Sequence, residues 1–168
     1  MKLVMIGFMG TGKTTIGREL ARKLNISFID MDKEIEKREK KTISKIFEIN
    51  GEQYFRNLET RLLKELIEVD NIVISTGGGI VTIEENLRIL NNESGVIFLD
   101  ANAQTIINHL SNEIEERPLL KGSKDLNKTI NDLLNKRYDK YNNVFDIKID
   151  VNEKNVAEVI SQILVNIR

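Results

Sequence analysis

The chain has 168 residues, with no cysteine, no tryptophan, one proline and one histidine. The missing cysteines exclude disulfide frameworks, thiolate metal sites and thiol chemistry, and a lone histidine excludes multi-histidine metal sites. Basic and acidic residues number 25 and 26, a net charge of −1, so there is no global footprint for nucleic acid or an anionic membrane.

Lys2 to Ile6 reads as a buried strand ended by Gly7. Thr14 to Leu24 sets Ile16, Leu20, Ala21 and Leu24 at helical spacing among charged neighbours. Ser27 to Ile29 is a short strand, Asp30 to Lys40 a charged helix, and Ile43 to Asn50 a helix stopped by Gly51. Glu52 to Val69 carries Phe55, Leu58, Leu62, Leu63, Leu66 and Ile67 and predicts a long amphipathic helix. Asn71 to Ser75 is a β-branched strand that runs into Gly77-Gly78-Gly79. A helix follows from Thr82 or Ile83 to Asn91, with Thr82 as its cap and Glu85 three residues on. Gly95 to Leu99 is a fourth strand and Asn102 to Leu110 a helix. Residues 112–125 are polar, hold the single proline, Pro118, and are long for a connection, which marks a mobile lid. Leu126 to Tyr141 is a helix and Phe145 to Asp150 a fifth strand; an amphipathic helix from Asn152 or Glu153 closes the chain.

Strands alternating with helices predict an α/β fold: three α/β/α layers around a five-stranded parallel sheet. The length predicts one domain over 1–168. No run approaches about 20 apolar residues, so no membrane span is expected. The opening residues carry no signal pattern, and a cytoplasmic location is the expectation.

Gly7-Phe8-Met9-Gly10-Thr11-Gly12-Lys13-Thr14 matches G-x-x-x-x-G-K-[ST], with a strand before it and a helix after it. Glycines let backbone amides converge on phosphate oxygens, and the helix turns its positive end toward the same anion. Lys13 brings a mobile charge to the β and γ phosphates, and the Thr14 hydroxyl is a ligand for Mg²⁺. A nucleoside triphosphate site follows; it leaves the acceptor of the phosphate open.

Asp30 and Asp32 follow the second strand, on the sheet edge where ligands of open α/β sheets sit. One carboxylate suits hydrated Mg²⁺ and the other a hydroxyl proton. The same pair also suits the start of a helix, where acids are favoured, and spacing alone does not choose. Gly77-Gly78-Gly79 points to close approach of backbone and ligand, since a tight turn needs one glycine more readily than three. Arg56, Arg117 and Arg137 stand out in a chain that otherwise prefers lysine, because arginine offers a rigid fork for carboxylate or phosphate. Taken singly, each is also an ordinary surface residue. His109 reads as a residue of a helix surface or end, with no nucleophile beside it.

Taken together, these motifs resemble those of the shikimate kinases, small P-loop kinases of the nucleoside-monophosphate-kinase type. The resemblance runs in order along nearly the whole chain. It takes in the phosphate loop, Asp30-Met31-Asp32, Gly51-Glu52-Gln53-Tyr54-Phe55-Arg56-Asn57-Leu58-Glu59, Ser75 to Gly79, Arg117-Pro118-Leu119-Leu120, and Arg137 with Tyr141. It implies a P-loop NTPase fold and transfer of the ATP γ-phosphoryl to the 3-hydroxyl of shikimate, a step toward chorismate and the aromatic amino acids. ATP would be bound by Gly10, Thr11, Gly12, Lys13, Thr14, Thr15, Arg117 and Asn155. Shikimate would be bound by Asp32, Arg56, Gly77, Gly78, Gly79 and Arg137, with residues 33–60 as a substrate-binding subregion of the single domain. Lys13, Asp32 and Arg117 would be catalytic, and one Mg²⁺ would be held by Thr14 and Asp30, the latter through water. The implied partners are ATP and shikimate, with no nucleic acid or membrane, and a monomer is expected. Two departures stand out: Leu110, beside His109, occupies the position of the family's adenine-stacking arginine, and Arg137-Tyr138-Asp139-Lys140-Tyr141 lacks the family's proline. Two other readings remain: a related kinase acting on a different hydroxylated acid, and a nucleotide-binding switch without transfer.

Overall fold

The short apolar runs pair into one parallel five-stranded sheet in the order β2-β3-β1-β4-β5. The strands are β1 (Lys2–Ile6), β2 (Ser27–Asp30), β3 (Ile72–Ser75), β4 (Val96–Asp100) and β5 (Ile147–Asp150). The computed structural model describes residues 1–110 and 117–167. Parallel neighbours require crossovers, and helices fill them: α1 (Lys13–Leu24), α2 (Met31–Glu39), α3 (Ile43–Asn50), α4 (Glu52–Leu66), α5 (Glu84–Asn91), α6 (Ala103–Leu110), α7 (Leu126–Asn142) and α8 (Val156–Asn166). The central strands β1 and β3 are buried on both faces, which is why they read as continuous apolar runs. At the edge, β5 leaves Lys148 and Asp150 exposed.

Period-two alternation in β1 divides the interior into two cores. Leu3 and Met5 join residues of α1, α6 and α8 on one face, including Ile16, Leu20, Ile106 and Ile160. Val4 and Ile6 join residues of α2, α3 and α4 on the other, including Ile35, Ile46, Leu62 and Leu63. The three expected layers are therefore present. Helix α7 belongs to both cores: Ile130 sits in the first and Tyr141 in the second. It bridges the two layers and brings its last turns against the glycine turn after β3.

Two local expectations change. Thr82 caps no helix; its hydroxyl donates to Gly79 O at 2.6 Å, inside a 3-10 turn over Ile80–Thr82, and α5 begins at Glu84. The last helix begins at Val156, not 152 or 153, because Asn155 and Glu158 form a reciprocal capping box. Of the expected lid, residues 112–116 lie outside the described residues. Beyond them, successive turns run from Arg117 to Ser123, and Leu120 is fully buried in the first core.

Gly95 launches β4 with φ +89°, and a Cβ there would stand 2.5 Å from the Lys2 carbonyl oxygen. Replacing it by alanine adds left-handed strain and a backbone collision. Gly95→Ala is expected to lower unfolding free energy by about 1–3 kcal/mol in urea titrations; an unchanged midpoint would contradict this account of the turn.

Candidate active site

One row of the sheet launches three of the expected site segments. Met5 pairs with Ser75, and Asp30 pairs with the same Ser75. The phosphate loop, the aspartate pair and the triple glycine therefore leave the carboxyl edge side by side, where open parallel sheets bind ligands.

In the phosphate loop, Gly10 and Gly12 hold φ of +78° and +87°, a backbone that other residues rarely adopt. Lys13 is buried, and its ammonium donates to Gly7 O at 2.7 Å and Phe8 O at 2.8 Å. Burial pulls its pKa down to about 8, against the opposing charge of Asp32. Gly12, Thr14 and Thr15 line a cavity of about 520 Å³. Thr11 lines it too, but both its N–H and its hydroxyl are turned back to Phe8 O. Asn155 reaches the far wall while its side chain caps α8. His109 lies exposed at the end of α6 with Nδ1 2.7 Å from Gly10 O, and Leu110 is buried with its Cγ 2.8 Å from where a Gly10 Cβ would sit.

Asp30 caps a helix and also reaches the phosphate loop. Oδ1 accepts from Lys33 N at 3.1 Å and caps α2, while Oδ2 accepts from the Thr14 hydroxyl at 2.5 Å. Two hard oxygen donors thus stand together where the cavities meet, a set that suits a Mg²⁺ ion keeping most of its waters. Among the described residues no group of three or more His, Cys, Asp or Glu could form a fuller cage. Asp32 lies beside them with Oδ1 buried and without a hydrogen-bond partner. Burial, then Asp30, raises its pKa, and Lys13 and Arg117 pull the other way.

A second cavity of about 710 Å³ adjoins the first, and Thr14, Asp30, Asp32, Gly78 and Arg117 line both. Arg56 and Arg137, each 5% exposed, line the second. Arg56 donates to Glu59 at 2.6 Å and to the half-exposed Glu52 at 2.9 Å. Arg137 lies over the Phe8 ring, 5.6 Å from its centroid, and donates to Gly78 O at 3.1 Å.

The triple glycine is where these parts interlock. A Cβ on Gly77 would lie 2.3 Å from Glu59 Oε1 and 2.9 Å from Asp32 Oδ1. On Gly78 it would lie 2.8 Å from the Met9 backbone nitrogen of the phosphate loop, and on Gly79 2.1 Å from Arg56 Nη1. Each missing side chain is the space into which another site component fits. The structure thus brings together Lys13, Thr14, Asp30, Asp32, Arg56, Arg117, Arg137 and the glycine turn.

Sequence reasoning gave no role to Glu59, which is fully buried, with Oε2 on Arg56 and Oε1 unpartnered. Its signal was a glutamate inside the apolar stripe Phe55, Leu62, Leu66 of α4. Burial pushes its carboxyl up to about 7 despite the Arg56 charge.

Glu59 titrates near 4.5 when unfolded and near 7 when folded. Between those values the folded chain holds the extra proton, so the group's stabilisation is complete below about 4.5 and is lost as the pH rises through 7. Denaturant midpoints at about pH 5 and 7.5 are expected to fall more steeply for the wild type than for Glu59→Gln. Equal pH dependence in both would contradict the assignment.

A family model described as shikimate kinase matches residues 9–168. The chain is 43% identical over 169 residues to a shikimate kinase of Dictyoglomus turgidum, covering 99% of this chain and 96% of that one. It superposes on a shikimate kinase from Acinetobacter baumannii in complex with shikimate with a TM-score of 0.94, at 34% identity, covering 99% of this chain and 92% of that one. A shikimate kinase structure from Aquifex aeolicus gives a TM-score of 0.84 at 41% identity, covering 99% and 96%.

Proposed function

The chain belongs to the shikimate kinase family, and from that premise we propose that it transfers the ATP γ-phosphoryl to the 3-hydroxyl of shikimate through the residues gathered above. The observation that carries this reading is the contact of the two cavities along one wall, with Asp32 and Arg117 lining both. One cavity is built for a triphosphate and the other for a hydroxylated anion.

Lys13 and the loop amides hold the triphosphate, with Arg117 and Asn155 on its walls. Arg56 and Arg137 take the shikimate carboxylate as paired forks, a geometry lysine cannot offer. Glu52, half exposed, is the partner Arg56 can exchange for the substrate carboxylate. Backbone of Gly77–Gly79 forms the floor. Asp32 accepts the proton of the 3-hydroxyl as its oxygen bonds to phosphorus and the bond from phosphorus to the β–γ bridging oxygen breaks. A carboxylate with a raised pKa is the stronger base for that step. Arg117 lies close enough for its charge to be felt at both Lys13 and Asp32, and it offsets charge on the phosphoryl oxygens in flight. Thr14 and Asp30 would hold a Mg²⁺ ion, which when bound would neutralise phosphate charge. The protein's contribution is otherwise position and exclusion of water, which suppresses hydrolysis.

The reading includes a monomer in the cytoplasm, acting on small molecules without nucleic acid or membrane. Its supports are that one chain supplies both cavities, that charge is nearly balanced, and that no described helix is long and apolar enough to cross a membrane.

Coupled ADP-release assays with shikimate, gluconate and nucleoside monophosphates test the reading. Turnover is expected with shikimate; a better rate with gluconate would favour another hydroxylated acid, and nucleotide binding without turnover a switch. Asp32→Asn is expected to lower kcat by about 10²–10⁴-fold while leaving the ATP KM within about threefold. Undiminished kcat would overturn the role of Asp32.

A further inference from the structure

The Gly78 carbonyl carries more than its neighbours do. It accepts Arg137 Nη1 at 3.1 Å and also the Tyr141 hydroxyl. A peptide carbonyl has two lone pairs, and both are taken here. Arg137 and Tyr141 stand four residues apart on one face of α7, so the helix presents both donors to the same oxygen.

Tyr141 is 1% exposed, and its ring stacks on Phe98 of β4 with centroids 5.1 Å apart and planes 14° apart. That stack would hold a phenylalanine equally well. The carbonyl would also remain satisfied without the phenol, because Arg137 already donates to it. Packing and polar satisfaction therefore both leave the hydroxyl unexplained. Burial raises its pKa far above the usual phenol range, so it stays protonated and donates throughout the working pH range.

What the hydroxyl adds is direction. Two donors on one oxygen fix the plane of the Gly78–Gly79 peptide. The same oxygen anchors one Nη of Arg137, while Phe8 lies beneath the guanidinium. On the other side of the turn, Gly78 abuts the Met9 nitrogen and Gly79 abuts Arg56. A peptide set in this way lies against both arginine forks, bonded to Arg137 at Gly78 and packed on Arg56 at Gly79.

We propose that Tyr141 is a positioning residue for the acceptor: through the Gly78 carbonyl, its hydroxyl sets the direction in which Arg137 grips the substrate carboxylate. The proposal deepens the kinase reading and rests on it.

Tyr141→Phe removes one oxygen and keeps the stack. It is expected to raise the shikimate KM about fivefold to tenfold, the worth of one net hydrogen bond. The ATP KM and kcat should stay within about twofold, and the melting temperature within a few degrees. In an Arg137→Met background the same change is expected to shift shikimate binding by less than about twofold, since its effect passes through the fork. Phe98→Leu, which removes packing and leaves the hydroxyl, is expected to lower the melting temperature while the shikimate KM holds. An unchanged shikimate KM in Tyr141→Phe would overturn the proposal. So would an equal rise in the Arg137→Met background, or a variant that fails to fold or loses both substrates together. The wild type run in the same assay separates the two claims: no turnover of shikimate there would overturn the kinase reading itself.

Discussion

Three successive peptides without side chains lie where the two cavities of the site meet their supporting helices. The turn at Gly77–Gly79 lies between the phosphate loop on one side and α4 and α7 on the other. A Cβ added along it would collide with Glu59 and Asp32, then Met9, then Arg56. A phosphoryl group crosses between two molecules only if both are held within bonding reach in line. Here that reach is set by backbone against backbone at Gly78 and Met9, and by backbone against side chains at Gly77 and Gly79. The parallel register supplies the rest, since Met5, Asp30 and Ser75 share one row and their following segments emerge together.

Charge is the second organising constraint. Lys13, Arg56 and Arg137 are buried on this edge, with Glu59 and Asp32 between them. Such groups are a poor source of stability, because desolvation offsets much of their attraction. Their arrangement makes sense as a site built for anions that bring their own charge. Burial lowers the pKa of Lys13 and raises those of Asp32 and Glu59. The net charge of −1 conceals this local concentration.

Much of this was legible in the residues. The strands and the phosphate loop follow from apolar runs and glycine spacing, and the forks from isolated arginines in a lysine-rich chain. Spacing could not place Asp30 because its two oxygens face different partners, one capping α2 through Lys33 N and the other accepting from the Thr14 hydroxyl. The roles of Glu59, Tyr141 and Phe8 were not legible, because they depend on which helix crosses which loop. Glu59 needs Gly77 above it, and Tyr141 needs α7 to bridge both layers. The ends of α5 and α8 moved for a related reason: Thr82 found a closer acceptor in Gly79 O, and Asn155 found Glu158. Local competition for hydrogen bonds decides such boundaries, and spacing does not display it.

The claim that the glycine turn provides the space in which the acceptor site is assembled has a direct test in Gly79→Ala. Gly79 has φ −99°, which alanine adopts without strain, so the substitution changes space alone. The added methyl would fall on the Arg56 guanidinium, the movable end of a long side chain, and leave the fold intact. The account predicts a shikimate KM raised by about 30-fold or more, with nucleotide affinity within about threefold and a melting temperature lowered as buried Glu59 loses its partner; the loss in binding is that of one charged hydrogen-bonding fork. A shikimate KM equal to that of the wild type would contradict it.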